Sequence, residues 1–287
     1  MKFFADTANI DEIDYCFSRG INDGITTNPK IMETTGDLSL GFEGASKKIL
    51  SRFPSVPVSL ETDLRGIDVS KMDELLPEAV RDTLLKQAYE ISGWGPNVVV
   101  KIPISQGGVL ATEALYEQGI KTNVTACMTP DQALSAAEAG ATYVSLFANR
   151  MLDSYILELA GHKLEEILSG PEWKNAVKEN KDKYFEKAWS LVLNDIAYVA
   201  NQLDGSESEL IIGSIRLPED IHRIVSAGPQ VITIPTGIAR GLDNPAYLKK
   251  SPRTFNSREF NARKGLSHPM TQYTIEEFER AANSYRK

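Results

Sequence analysis

The stretch KTNVTACMTPDQALSAAEAGATYVSLF (residues 121–147) reads as one complete strand–helix–strand unit. KTNVTA (121–126) and TYVSLF (142–147) are short runs rich in β-branched and aromatic residues, the composition of strands. Between them, Thr129-Pro130 opens a helical pattern, because proline is tolerated in the first turn of a helix, where its missing N–H has no intrahelical partner. The pattern PDQALSAAEAG ends at Gly140, where a left-handed residue closes a helix without steric cost. A strand, a glycine-closed helix and a second strand in so few residues is the repeat of an α/β protein.

Runs of the same kind occur at KFFADT (2–7), DGITTN (23–28), VPVSLET (56–62), NVVVKIPI (97–104), ELIIGS (209–214) and QVITIPT (230–236), which makes eight strands. Amphipathic segments such as IDEIDYCFSRG, LATEALYEQG and PEDIHRIVSAG lie between them. Gly20, Gly119 and Gly228 repeat the Gly140 pattern, and LPED (217–220) looks like a helix start with acids near the positive end of the dipole. Eight βα units in about 240 residues predict an α/β fold, a single (β/α)8 TIM barrel. An open doubly wound sheet is the alternative, since periodicity alone does not show closure. The connections 63–96 and 148–208 are long enough for additional helices, the second ending in an amphipathic stretch from Asp182 to Leu203. TQYTIEEFERAANSY predicts a C-terminal helix with Thr274 at its N-cap. With no linker or low-complexity segment, one domain over 1–287 is expected.

The 287 residues are 42% hydrophobic and carry a formal net charge of -8. That charge argues against nucleic acid or an anionic membrane as partner. Two cysteines, Cys16 and Cys127, supply no disulfide framework. The start MKFFADTAN lacks the charged and apolar regions of a secretory signal, and no apolar run approaches membrane-spanning length. A soluble cytoplasmic protein is the expectation. Only three histidines occur, His162, His222 and His268, none at metal-ligand spacing with a cysteine or another histidine. Chemistry without a metal or cofactor is therefore expected, run by lysine, carboxylates, amides and hydroxyls.

Catalytic residues of a (β/α)8 barrel stand at the C-terminal ends of its strands. Collected there are Asp6, the run Thr26-Thr27-Asn28, Glu61 with Asp63, Lys101, Asn123, Thr125, Ser145, Asn149-Arg150, Ser214, Arg216, Thr236 and Arg240. Lys101 interrupts an otherwise aliphatic strand. Burial depresses the pKa of a lysine, and a neutral amine attacks carbonyls to form a Schiff base. The other reading is a lysine paired with Asp6 or Glu61, or snorkelling from a strand end. Asp6 and Glu61 are candidate proton carriers. Asn28 is a candidate helix cap as well as a site residue. Arg150, Ser214 and Arg216 suit a phosphate, because a guanidinium offers a planar fork of donors to oxyanions. The alternative for Arg150 is a surface pair with Asp153. Cys127 is read as a small buried residue without a role.

DTAN, GITTNP, SLETD, VVVKIP, TNVTA, VSLFANRMLD and IIGSIR occur in the order and approximate spacing of the transaldolase family, which the chain resembles over most of its length. HPMT and the last helix resemble the end of that family. The resemblance implies a class I aldol mechanism on sugar-phosphate substrates. Lys101 would form the Schiff base, and Asp6 would take the hydroxyl proton as the carbon–carbon bond breaks. Glu61 and Thr125 would position the proton-shuttling water. Asn28, Asn123 and Ser145 would hold the sugar, and Arg150, Ser214 and Arg216 its phosphate. A dihydroxyacetone unit would pass to an aldose phosphate, as in the pentose phosphate pathway. Fructose-6-phosphate aldolase, a relative that releases free dihydroxyacetone, has Gln where Glu61 stands and Tyr where Phe147 stands, so both positions here are of the transferase type. Departures are Leu146 for Pro, Asn149 for Gly and Ile215 for Phe, all flanking the sugar and phosphate contacts. A free aldolase and a non-catalytic sugar-phosphate binder stay open, as does a homo-oligomer built through the 148–208 connection.

Overall fold

A computed structural model describes residues 1–69, 75–255, 257 and 265–285. Eight parallel strands close into a barrel in chain order: β1 (Lys2–Asp6), β2 (Gly24–Thr26), β3 (Val58–Glu61), β4 (Val98–Pro103), β5 (Thr122–Cys127), β6 (Tyr143–Phe147), β7 (Glu209–Gly213) and β8 (Val231–Ile234). The ring closes through β1 and β8, with Lys2 opposite Val231. All eight expected strands are present, and the open sheet is excluded.

The helices are α1 (Ile10–Ser18), α2 (Pro29–Thr35), α3 (Gly41–Arg52), α4 (Pro77–Ser92), α5 (Gln106–Glu117), α6 (Pro130–Glu138), α7 (Ala148–Leu159), α8 (Leu164–Ile167), α9 (Trp173–Gln202), α10 (Pro218–Ala227), α11 (Thr236–Gly241), α12 (Pro245–Leu248) and α13 (Pro269–Tyr285). Thr129 caps α6 by accepting from the Gln132 amide at 3.2 Å. Gly20, Gly119, Gly140 and Gly228 all take positive φ. The 148–208 connection holds three helices, and the 30-residue α9 begins well before the expected Asp182. In the 63–96 connection the described residues hold α4 and no further α-helix; residues 70–74 lie outside the described ones. Among the described residues, no helix is long and apolar enough to cross a membrane.

One expectation needs correcting. Thr274 is not an N-cap but a buried residue inside α13, its hydroxyl donating to the Met270 carbonyl at 2.7 Å. The helix starts five residues earlier at Pro269, and His268 Nδ1 accepts from the Met270 amide. The hydroxyl bonds back one turn, as threonine does within helices.

Side chains alternate across a strand, and that period places the site. Phe4, Val99, Tyr143, Ile211 and Val231 form an apolar cluster separate from the main core, whose strand residues include Phe3, Ala5, Val100, Ile102, Val144 and Ile232. The small cluster fills the barrel interior near the strand starts, with Phe4 and Tyr143 edge to face at 5.7 Å. Gly24 makes room for it, since a Cβ there would lie 2.6 Å from the Phe4 ring. Two residues further along the same strands, the inward positions become Asp6, Thr26, Lys101, Ser145, Gly213 and Thr233. An apolar floor thus carries a polar layer.

Candidate active site

Above that floor is a cavity of about 340 Å³, lined by Asp6, Thr26, Asn28, Lys101, Asn123, Thr125, Ser145, Phe147, Arg150, Ser214 and Thr233, among others. Strand register sets the central pairing, because Glu61 of β3 stands opposite Lys101 of β4, and Lys101 opposite Asn123 of β5. Lys101 Nζ lies 2.9 Å from Glu61 Oε2, with side chains 5% and 3% exposed, and donates to the Thr27 carbonyl at 2.9 Å. Glu61 sits behind the lysine rather than on the cavity wall.

Burial pushes the Glu61 carboxyl above the usual range, an effect that Lys101 partly offsets. Asp6 is raised too, chiefly by burial, with the Thr26 hydrogen bond and the Lys101 charge pulling the other way. Its carboxylate faces the cavity, and the residue keeps partial exposure there. Thr26 Oγ1 donates to Asp6 Oδ1 at 2.6 Å and also touches the Thr233 hydroxyl. A carboxyl held above its usual range accepts a proton near neutrality more readily than a free one.

Two buried oxygens here lack an aligned hydrogen bond: Glu61 Oε2 and Thr125 Oγ1. Buried polar atoms are normally satisfied, so these two oxygens beside the Lys101 ammonium are suited to an ordered water. Thr125 precedes a bulge. The β5–β6 register shifts between Val124 and Cys127, and Ala126 takes φ 61°. Bulges re-aim side chains next to active sites.

Ser145 donates to Asn123 Oδ1 at 2.7 Å, and Asn123 Nδ2 donates to Ser59 Oγ at 3.1 Å, a chain that fixes the amide's orientation. Asn28 is a helix cap and also lies on the cavity wall. Its Oδ1 caps α2 by accepting from the Ile31 amide at 2.8 Å, while the residue lines the cavity. Ser214 takes φ 61°, a conformation that costs a non-glycine residue roughly 1–2 kcal/mol. Asn149 Nδ2 donates to the Ser214 carbonyl and to Asp220 Oδ2, each at 2.8 Å, which holds that turn. The departure at Asn149 therefore has a structural task.

The arginines separate. Arg150 lines the cavity, forms an ion pair with Glu277 and lies over the Tyr273 ring at 5.3 Å. Arg216 does not join the lining; it makes a two-pronged pair with Asp153 at 2.9 and 2.6 Å beside a neighbouring cleft. The alternative pairing of Arg150 with Asp153 does not form: Asp153 pairs with Arg216 and Arg150 with Glu277. Three other strand-end residues also point elsewhere. Thr236 contacts Glu12 and Cys16, Arg240 lies over Tyr15, and Asp63 pairs with Arg65. Sequence reasoning missed Thr233, Lys30 and, from α13, Glu277 and Phe278, all of which line the cavity. Period two in VITI would have found Thr233.

Residues 3–287 match the model of the Transaldolase/Fructose-6-phosphate aldolase family. The chain belongs to that family. A probable transaldolase of Hydrogenobaculum sp. (strain Y04AAS1) is 36% identical over 242 residues, 84% of this chain and 88% of the relative. One from Leptospira biflexa is 34% identical over 238 residues, covering 83% and 88%. One from Thermodesulfovibrio yellowstonii is 29% identical over 278 residues, covering 97% and 96%. Membership in the transaldolase/fructose-6-phosphate aldolase family supports a transaldolase-type enzyme, and the expected resemblance holds.

Proposed function

We propose that the protein transfers a dihydroxyacetone unit from a ketose phosphate to an aldose phosphate through a Schiff base on Lys101. The observation that carries this reading is the buried Lys101–Glu61 pair opening onto a polar cavity. Glu61, with its raised pKa, accepts the ammonium proton and leaves a neutral amine. The amine attacks the ketone carbon, and the carbinolamine loses water to give an iminium. Glu61 and Thr125, with their open oxygens, hold the water that carries these protons.

Asp6 then removes the proton from the hydroxyl on the far side of the bond to be cleaved. The electrons of that carbon–carbon bond flow toward the iminium nitrogen, which leaves an enamine and releases an aldose phosphate. The enamine carbon attacks the carbonyl of the incoming aldose, Asp6 returns the proton, and water hydrolyses the imine. Asn28, Asn123 and Ser145 hold sugar hydroxyls. Arg150 and Ser214 take the phosphate, and Arg216 contributes only if it leaves Asp153.

Fructose 6-phosphate with sodium borohydride tests the reading. A mass increase mapped to Lys101, absent in Lys101→Ala, is expected; no adduct with any of several ketose phosphates would sink it. Glu61 and Phe147, both of the transferase type, favour transfer over release of free dihydroxyacetone. A requirement for an acceptor aldose separates the two.

A further inference from the structure

Among the described residues, the cations that line the cavity are Lys30, Lys101 and Arg150, and each has a carboxylate partner. The three partners are differently placed. Glu33 is not on the cavity wall, and Glu61 is sealed behind Lys101 with a side chain only 3% exposed. Glu277 itself lines the cavity, is 30% exposed, and contacts the guanidinium that faces the same space. It comes from α13, one turn after Tyr273, whose ring supports the other side of Arg150. Arg216 is occupied by Asp153 outside this wall. Among the described residues, the phosphate end of the cavity therefore holds a single arginine, with its charge already answered from within.

We infer that Glu277 is a specificity-determining residue, a built-in competitor whose carboxylate must be displaced from Arg150 by the phosphate of the substrate. This rests on the proposed phosphate site at Arg150. A phosphate dianion outbids one carboxylate, because it brings more charge and more acceptor oxygens to the guanidinium fork. A neutral sugar or a monocarboxylate does not. Glu277 thus sets a threshold that weak anions fail to cross, at the expense of some affinity for the true substrate. Its partial exposure leaves room for the side chain to turn outward when displaced.

Calorimetric titration with inorganic phosphate, fructose 6-phosphate and unphosphorylated fructose tests this in wild type, Glu277→Gln and Arg150→Gln. Inorganic phosphate has no carbonyl to react with Lys101, so its titration keeps the readout independent of the chemical step. Glu277→Gln is expected to bind both phosphates roughly three- to fivefold more tightly, the upper scale of a partly exposed ion pair, with fructose unchanged. Glu277→Ala should do the same if the glutamine variant folds poorly. Unchanged or weaker phosphate binding in both Glu277 variants, with Arg150→Gln still impaired, would overturn the inference and leave the site reading intact. If Arg150→Gln binds phosphate as well as wild type, the phosphate site and the inference fall together.

Discussion

Thr271 Oγ1 donates to the carbonyl oxygen of Ala126 at 3.0 Å, so the C-terminal helix holds the residue of β5 whose φ is positive. Gln132 ties the same hydroxyl to the chain before the helix, donating to Thr271 Oγ1 at 3.1 Å and to the Leu266 carbonyl at 2.6 Å. Ala126 follows Thr125, so α13 steadies the bulge that aims Thr125. Thr271→Val should destabilise the protein by about 1–3 kcal/mol, the cost of leaving a buried carbonyl unpaired. It should also lower kcat with little change in KM, and Thr271→Ser should restore both. A fall in stability alone, with kcat untouched, would make the contact merely structural.

The buried Lys101–Glu61 pair predicts strong non-additivity. Removing one partner of such a pair costs roughly 3–5 kcal/mol, while removing both is often near neutral. Denaturant unfolding of Glu61→Gln, Lys101→Met and the double variant should show the double variant more stable than either single one. Additive losses would mean that the two groups do not depend on each other. All three variants should lack the borohydride adduct or form it far more slowly.

Asp6 gives a pH-dependent prediction whose sign follows from its burial. Its folded pKa lies above the unfolded value, so the folded state holds the proton more firmly, and stability declines as pH rises through that window. Asp6→Asn keeps the oxygen that accepts from Thr26 and removes the charge. It should raise Tm near neutrality by roughly 2–4 °C, the response of a chain this size to about 1 kcal/mol, with the gain vanishing in acid. Activity should nearly disappear. A lower Tm at neutral pH would show that the ionised carboxylate stabilises the fold.

Gly24→Ala places a methyl group 2.6 Å from the Phe4 ring. Overpacking of this kind typically costs about 1–3 kcal/mol. Thermal unfolding should show that loss, and Phe4→Leu in the same chain should recover part of it. An unaffected Tm would mean that the ring shifts freely and the floor is soft.

Much of this was legible in the residues. The eight strands announced themselves through β-branched runs and glycine-closed helices, and Lys101 through its charge in an aliphatic segment. Local pattern could not reveal pairings made across the fold. Arg216 and Asp153 lie 63 positions apart, and Arg150 and Glu277 lie 127 apart, so neither arginine's partner could be read from its neighbours. The amphipathic pattern of α13 fixes which face is buried but not that the helix lies across the barrel mouth. Thr274 was misassigned because a threonine before acidic residues has the look of a cap, while its buried hydroxyl bonds back to Met270.

The apolar floor of Phe4, Val99, Tyr143, Ile211 and Val231 makes the barrel a vessel with a stopper at one end. An apolar floor offers no polar path, so under the proposed function water and hydrogen ions reach Lys101 from the cavity side, the route by which the sugar would enter. Once a sugar fills that route, the pocket must work with the few exchangeable hydrogens it already contains. Inventory, rather than supply from the solvent, would then govern proton traffic in the proposed turnover.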